Sequence, residues 1–244
     1  MAPPGIGAEV EGVHAVAAAV EAHRVTRLSV ERGRTDALIG LIDAARAAGA
    51  EIDVIDDVRD VAVTSAPQGV VAECRPIDPV PLDAAVARTT PAALVVLDHL
   101  EDPRNAGAVA RTALGAGFGG IVLSRRRAAP LGATAFKAAA GAFEHLDIVL
   151  VSSIAAAVEN LRRLSVWTVG LDAAGEQPLF GLELLAEPVA VVIGAEGAGL
   201  GRLVAERVDV VASIPVDPRV ESLNASVAAA LALFEVARMR AVGH

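Results

Sequence analysis

Three times in the second half of this chain, a short apolar run stops at a polar turn and gives way to a helix. Leu94–Leu97 runs into the loop Asp98–Pro103, and Asn105 then opens a helix that carries Arg111 about two turns in. Val189, Val191, Val192 and Ile193 end at Gly194, and Glu196 follows among Gly197, Gly199 and Gly201. Val210, Val211 and Ile214 lead to Pro215, Pro218 and the turn Glu221-Ser222-Leu223-Asn224. Behind that turn lies the Ala/Leu/Val run Val227–Arg238, apolar nearly all round, which predicts a buried helix. Strands Ile121–Ser124, His145–Val151 and Val166–Leu171 and helices Ala133–Ala142 and Ile154–Leu164 complete the alternation. Alternating strands and helices form a parallel sheet with helices on both faces. Such a sheet places all three polar turns at carboxyl ends of strands, where open α/β sheets bind ligands. Residue patterning alone predicts an unknotted, doubly wound sheet, because chains rarely thread loops.

The turn residues have ordinary structural uses. Ser222 and Asn224 can cap the helix that follows, and Asn105 can cap its own. The glycines around Glu196 permit positive φ or a close approach to a ligand. Gly115-x-Gly117-x-x-Gly120 matches a dinucleotide-binding pattern in letters only. It follows a helix and precedes a strand, the reverse of the required context. The chain has no Gly-Lys-Ser/Thr phosphate loop and no G-x-S-x-G elbow.

The first part of the chain reads as a small α/β unit. Val10–Ala22 is helical in pattern, Arg27–Glu31 a strand, and Thr35–Ala48 a helix. Glu51–Ile55 and Gly69–Glu73 are further strands. Pro76, Pro79 and Pro81 stiffen a linker before the second domain. At 244 residues the chain can bury a sizeable core in one large or two small domains. No uncharged apolar run approaches the ~20 residues of a membrane span, and residues 1–8 lack the features of a secretory signal. One cysteine, Cys74, excludes an internal disulfide and suits a reducing cytoplasm. His14, His23, His99, His145 and His244 are scattered without metal-ligand spacing, so no metal is expected.

The net charge of −9 weighs against nucleic acid as a partner. Local charge can differ from total charge. Arg125-Arg126-Arg127, with Arg202, Arg207 and Arg219, are the candidates for a basic patch.

Taken together, the three turns resemble motifs 1, 2 and 3 of the SpoU (TrmH-type) RNA 2′-O-methyltransferases. The first has the form N-x-G-x-x-x-R over Asn105–Arg111, and the second is Ile193-Gly-Ala-Glu196-Gly-Ala-Gly199-Leu. The third is Ile214-Pro215 followed by Ser222-Leu-Asn224-Ala-Ser226-Val-Ala. EGVHAV (11–16) and QGVVAE (68–73) are similar to the L30e-like substrate-binding domain of the guanosine-specific ribosomal RNA members. The resemblance replaces the unknotted drawing with an α/β SPOUT trefoil knot. It implies an L30e-like RNA-binding domain over 1–75, a linker over 76–90 and a methyltransferase domain over 91–244.

The implied reaction is methyl transfer from S-adenosyl-L-methionine to a ribose hydroxyl of RNA. Ribosomal RNA is the expected substrate, in particular a guanosine of 23S RNA. Transfer RNA, or a non-catalytic role in ribosome assembly, are the alternatives. The resemblance gives Arg111 a catalytic role. Arginine stays protonated in proteins, so gripping phosphate and stabilising a developing alkoxide suits it better than acting as a base. Asn105 would orient Arg111 or the ribose, Glu196 would tie the glycine-rich loop or a basic partner, and Ser222 and Asn224 would orient substrate or cofactor. The cofactor is expected around Gly194, Ile214 and Leu223, with Gly170, Leu171 and Gly199. The family also implies a place near RNA for Gly12 and His14. It further implies a homodimer formed through the C-terminal helix, with shared active sites.

Overall fold

The computed structural model describes residues 5–126, 129–217 and 219–242, so Arg127, Pro218 and His244 lie outside the described residues. In chain order the elements are β1 (Glu9–Glu11), α1 (Val13–Glu21), β2 (Val25–Glu31), α2 (Ile39–Ala47), β3 (Glu51–Ile55), β4 (Val70–Cys74), α3 (Leu82–Val86), β5 (Ala93–Leu97), α4 (Pro103–Gly115) and β6 (Gly120–Ser124). They continue with α5 (Ala133–Ala139), β7 (Asp147–Val151), α6 (Ile154–Arg163), β8 (Trp167–Leu171), β9 (Gln177–Pro178), β10 (Val189–Ile193), α7 (Arg202–Ala205), β11 (Val210–Ser213) and α8 (Ala225–Val242). Two compact units result. One is the chain up to Asp78 together with Pro130–His145; the other is Pro79–Ala129 with the chain from Leu146 onward.

The first unit holds a four-stranded sheet in the order β1-β4-β2-β3. Strand β1 takes the residues expected to start the first helix. It pairs antiparallel with β4, and Gly12 at φ 87° turns the chain into α1. Glu11 explains the anchoring: it is fully buried, and its carboxylate accepts from the backbone N–H groups of Val63 and Thr64 and from the Thr64 hydroxyl. Segment 130–145 was expected in the second domain but packs here. Phe136 and Phe143 are both buried, with ring centroids 4.9 Å apart. A Cβ on Gly7 would stand 2.3 Å from the Phe136 ring, so only glycine fits that crossing. Glu144, almost wholly buried, pairs with Arg24 at 2.5 Å.

The second unit is a seven-stranded sheet in the order β7-β6-β5-β10-β8-β11-β9, and every pairing is parallel. Strands β5 and β10 at its centre are buried along their whole length, as continuous apolar runs require. Strand β10 enters between β5 and β8, a slot that simple sequential winding would not fill. Register then decides the site: Ile193 stands beside Leu97 on one side and Leu171 on the other. The turns that follow these three residues therefore emerge side by side. Part of the expected linker belongs to this unit, for Val80 N donates to Ile148 O at 2.9 Å and α3 follows Pro81.

Helix α8 lines the core with only part of its apolar surface. Ala229, Ala232, Leu233 and Val236 are buried, whereas Val227, Leu231 and Phe234 face outward. Phe234 is 54% exposed, high for a side chain of that size.

Candidate active site

The first turn begins with a cap. Asp102, not Asn105, caps α4, its carboxylate accepting from Arg104 N at 2.8 Å, with Pro103 in the first helical turn. That leaves Asn105, only 8% exposed, free for a tertiary contact. Its Nδ2 donates to Glu196 Oε1 at 3.1 Å, and its Oδ1 accepts from Asn224 Nδ2 at 3.2 Å. Asn224 Nδ2 also donates to Glu196 Oε1, and the Ala225 N–H reaches the same oxygen at 3.4 Å. On its other side, Asn224 Oδ1 caps α8 by accepting from Ser226 N at 2.9 Å and Val227 N at 3.3 Å. One residue from each motif thus joins a single network. Asn224 fills the structural and the connecting role together, and Ser222 takes no part in the cap.

The second turn is shaped by its glycines. Ala195 and Gly199 exchange two backbone hydrogen bonds of 3.0 Å, closing a tight loop over Glu196–Ala198. A Cβ on Gly194 would lie 2.3 Å from the Gly199 carbonyl, so the two backbones touch. Gly199 takes φ 65°, and its own Cβ would strike Asp172 Oδ2 at 2.5 Å. Asp172 holds the loop from β8: Oδ1 accepts from Ala174 N at 2.9 Å and Oδ2 from Leu200 N at 3.4 Å. Asp98 does the same from β5. It is fully buried, and its Oδ2 accepts from Gly201 N at 2.7 Å. Neither Asp98 nor Asp172 stood out in the sequence, although each directly follows an apolar strand.

Between these turns lies a cavity of about 230 Å³. Its wall includes Leu171, Gly194, Glu196, Gly199, Ile214, Ser222 and Leu223. Much of the lining is backbone and small apolar side chain. Its ionisable side chains are the carboxylates of Asp172, Glu196 and Glu221, and no Lys or Arg is among the lining residues. Such a wall favours a ligand with cationic groups. S-adenosylmethionine fits this chemistry, with a sulfonium, an ammonium and a flat adenine that backbone edges can recognise.

Two expected site residues stand elsewhere. Gly170 is not in the wall but beneath it, where a Cβ would come within 2.5 Å of Leu200 Cδ1. It is a packing glycine that lets the loop settle on β8. Arg111 is exposed and is not in the wall either. Six residues beyond Asn105, it points about 120° round α4 from it. Ala108 and Thr112 of the same helix, with Val227, Leu231 and Phe234 of α8, line a shallow apolar groove.

A parallel sheet with β10 set between β5 and β8, and a glycine-built cavity at its carboxyl edge, define a SPOUT-class methyltransferase. The comparisons agree. The SpoU rRNA Methylase family matches residues 92–234, and the RNA 2′-O ribose methyltransferase substrate-binding family matches 10–80. YacO of Bacillus subtilis, placed in the TrmH family of tRNA/rRNA methyltransferases, is 38% identical over 205 residues, 82% of each chain. The 23S rRNA (guanosine-2′-O-)-methyltransferase RlmB of Coxiella burnetii is 34% identical over 239 residues, 95% of each. Among solved structures, the SpoU methyltransferase AviRb of Streptomyces viridochromogenes, in complex with the cofactor AdoMet, superposes with a TM-score of 0.81. It is 26% identical, and the match spans 96% of this chain and 91% of that one. The chain belongs to the SpoU (TrmH) family of RNA 2′-O-methyltransferases, and its cofactor is S-adenosylmethionine.

Proposed function

We propose that this protein methylates the ribose 2′-oxygen of a guanosine in 23S ribosomal RNA, acting in the cytoplasm as a homodimer. The observation that carries the substrate is the likeness to RlmB across 95% of both chains, substrate-binding domain included. The experiment is methyl transfer by the purified protein to 23S, 16S and transfer RNA transcripts, with ribose methylation mapped in cells lacking it. Label in transfer RNA alone would overturn the ribosomal reading and favour the second substrate class that the YacO relationship allows.

Bound S-adenosylmethionine supplies a methyl group on a cationic sulfonium. The chain's own task is to hold the 2′-oxygen in line with that carbon, at roughly 3–3.5 Å, and to favour loss of its proton. The loop Ala195–Gly199 and Leu223 line the cavity and would enclose the cofactor, and the carboxylates of Asp172 and Glu221 would balance its positive groups. The Asn105–Glu196–Asn224 network holds the glycine-rich loop to the starts of α4 and α8. Ser222, exposed at the rim, is placed to meet the ribose.

Among the described residues, the cavity wall has no Lys or Arg to grip phosphate or steady an alkoxide. Arg111 meets that need from a second copy of the chain. It is next in sequence to Thr112 and three residues after Ala108, which with Val227, Leu231 and Phe234 line the outward groove that a partner would cover. The guanidinium then acts as a fixed charge and fork of donors at the developing oxyanion.

A further inference from the structure

The arginines of this acidic chain are not distributed evenly between paired and unpaired states. Three that the sequence offered as a basic patch are neutralised: Arg202 by Glu206 at 3.1 Å, Arg207 by Glu159 at 3.2 Å and Arg219 by Asp217 at 2.9 Å. Among the described residues, Arg104, Arg125 and Arg126 have no carboxylate within ion-pair distance, and all three are exposed. Arg111 is likewise exposed without a carboxylate partner and is the residue proposed above to serve a second copy's cavity; the others of the second unit without one are occupied or remote. Arg240 donates to three backbone carbonyls, Arg163 to Asn160, and Arg88 packs at Gly119, at the amino edge of the sheet.

Arg125 and Arg126 directly follow β6, Arg104 lies in the first turn of α4, and the segments that carry them are tied together. Arg125 N donates to Val151 O at 2.8 Å, which fixes the start of the loop after β6. Ala129 N then donates to Leu100 O at 2.8 Å, which brings that loop against the one after β5. The β5 loop is in turn bound to the glycine-rich wall of the cavity, through Asp98 N to Ile193 O and Gly201 N to Asp98 Oδ2. His99 belongs to the same loop. It takes φ 57°, its side chain is half exposed, and Nδ1 lies 2.8 Å from Asp98 Oδ1. Glu101 and Asp102 also lie in this loop, but the Asp102 carboxylate is engaged by the α4 cap.

We propose that Arg125 and Arg126, at the end of β6, and Arg104, in the first turn of α4, form the track on which the substrate RNA lays its phosphates. This rests on the RNA methyltransferase assignment but not on which RNA is the substrate. Opposite charge attracts the strand, and the connection of both loops to the glycine-rich turn sets the neighbouring ribose at the cavity rim. It also reconciles a net charge of −9 with an RNA substrate, because these three unpaired positive charges stand on segments tied to the cavity wall.

The test is a salt titration of RNA binding by the full-length protein. The probes are a 23S rRNA transcript and a transfer RNA transcript, and the one that the wild type methylates is scored. For Arg125→Ala/Arg126→Ala the slope of log K against log salt should fall by roughly 1.4–1.8, as for two lost phosphate contacts. KM for RNA should rise about tenfold or more, with S-adenosylmethionine affinity unchanged. Arg104→Ala should remove about one contact, roughly 0.7–0.9 of slope. Arg207→Ala should leave the slope unchanged. A folded double variant with wild-type slope overturns the proposal. So does weaker binding at unchanged slope, since that marks a structural effect and not lost phosphate contacts.

Discussion

Asn105 and Asn224 stand 119 residues apart, and both donate their side-chain amides to one oxygen, Oε1 of Glu196. Asn105 is buried, whereas Glu196 and Asn224 are exposed in the single chain. The carboxylate therefore matters most to Asn105, whose amide has little solvent to fall back on.

Glu196→Ala should destabilise the protein by about 1–3 kcal/mol, the cost of leaving a buried donor unpaired. Asn105→Ala combined with Glu196→Ala should cost less than the sum of the two, with a coupling energy of about 0.5–3 kcal/mol. Urea unfolding of the wild type, both single variants and the double variant measures it. Strict additivity would show that the network is not a working contact.

Much of this site could be read from sequence, because local patterning encodes local structure. Apolar runs ending in Asp98, Gly194 and Ile214 placed three turns at one sheet edge, and the register of β5, β10 and β8 puts the first two there together. What local pattern cannot encode is which residue a side chain meets. Asn105 read equally well as a cap, and only the presence of Asp102 three residues earlier released it. The direction of Arg111 depends on where α4 actually begins. Segment 130–145 has the pattern of any short amphipathic helix, and its place with the first unit rests on Phe136 meeting Gly7, a contact between residues far apart in sequence. Strand β1 is only three residues long, too short for any periodicity to show.

The close approach of Gly194 and Gly199 gives a sharp steric prediction. Gly194→Ala places a methyl group 2.3 Å from the Gly199 backbone, which has no flexible end to swing aside. The loop must open, at a cost of about 1–3 kcal/mol, and the cavity wall moves with it. Calorimetry should show S-adenosylmethionine affinity at least tenfold weaker in a protein that still melts cooperatively. Unchanged affinity would mean that the loop does not shape the cofactor site.

The outer face of α8 predicts assembly. Val227, Leu231 and Phe234 form an apolar stripe that water would otherwise cover. Leu231→Asp/Phe234→Asp should convert a dimer to a monomer in sedimentation at micromolar concentration. Activity should be lost with it if Arg111 serves the partner's cavity. A fully active monomer would remove both the dimer and the shared site.

Arg111→Ala should cut single-turnover methyl transfer by roughly 10²–10³, the scale for one lost transition-state donor. Cofactor affinity should stay within a few-fold, because Arg111 does not line its own chain's cavity. Arg111→Lys should recover little, since an ammonium cannot reproduce the planar fork. Mixing Arg111→Ala with Gly194→Ala chains offers a separate check. Shared sites predict that mixed dimers regain part of the activity that both parents lack, and parental levels of activity in a verified mixed dimer would count against sharing.

Glu235 should make stability depend on pH. The side chain is 6% exposed, and it accepts from Arg238 Nε and Nη2, both at 2.7 Å, and from Gly181 N at 2.8 Å. The Arg238 hydrogen bonds hold its carboxyl below the usual carboxylate range; burial opposes this, and the Gly181 amide adds to it. A carboxyl depressed on folding stabilises the native state fully above its unfolded pKa of about 4.3, and that contribution is lost as pH falls through the folded value. Glu235→Gln should therefore lower stability by about 1–3 kcal/mol at neutral pH, or roughly 2–4 °C in Tm per kcal/mol. Protein concentration must be held fixed, because the midpoint of any protein that self-associates depends on it. The gap between wild type and variant should stay constant from neutral pH down to about 5.5, then narrow below about 4.3 as the wild type loses the charge that the variant never had. Thermal melts across that range measure it. A gap that persists unchanged to pH 3 would show that Glu235 acts through its shape in the α8 packing and not through its ionised form.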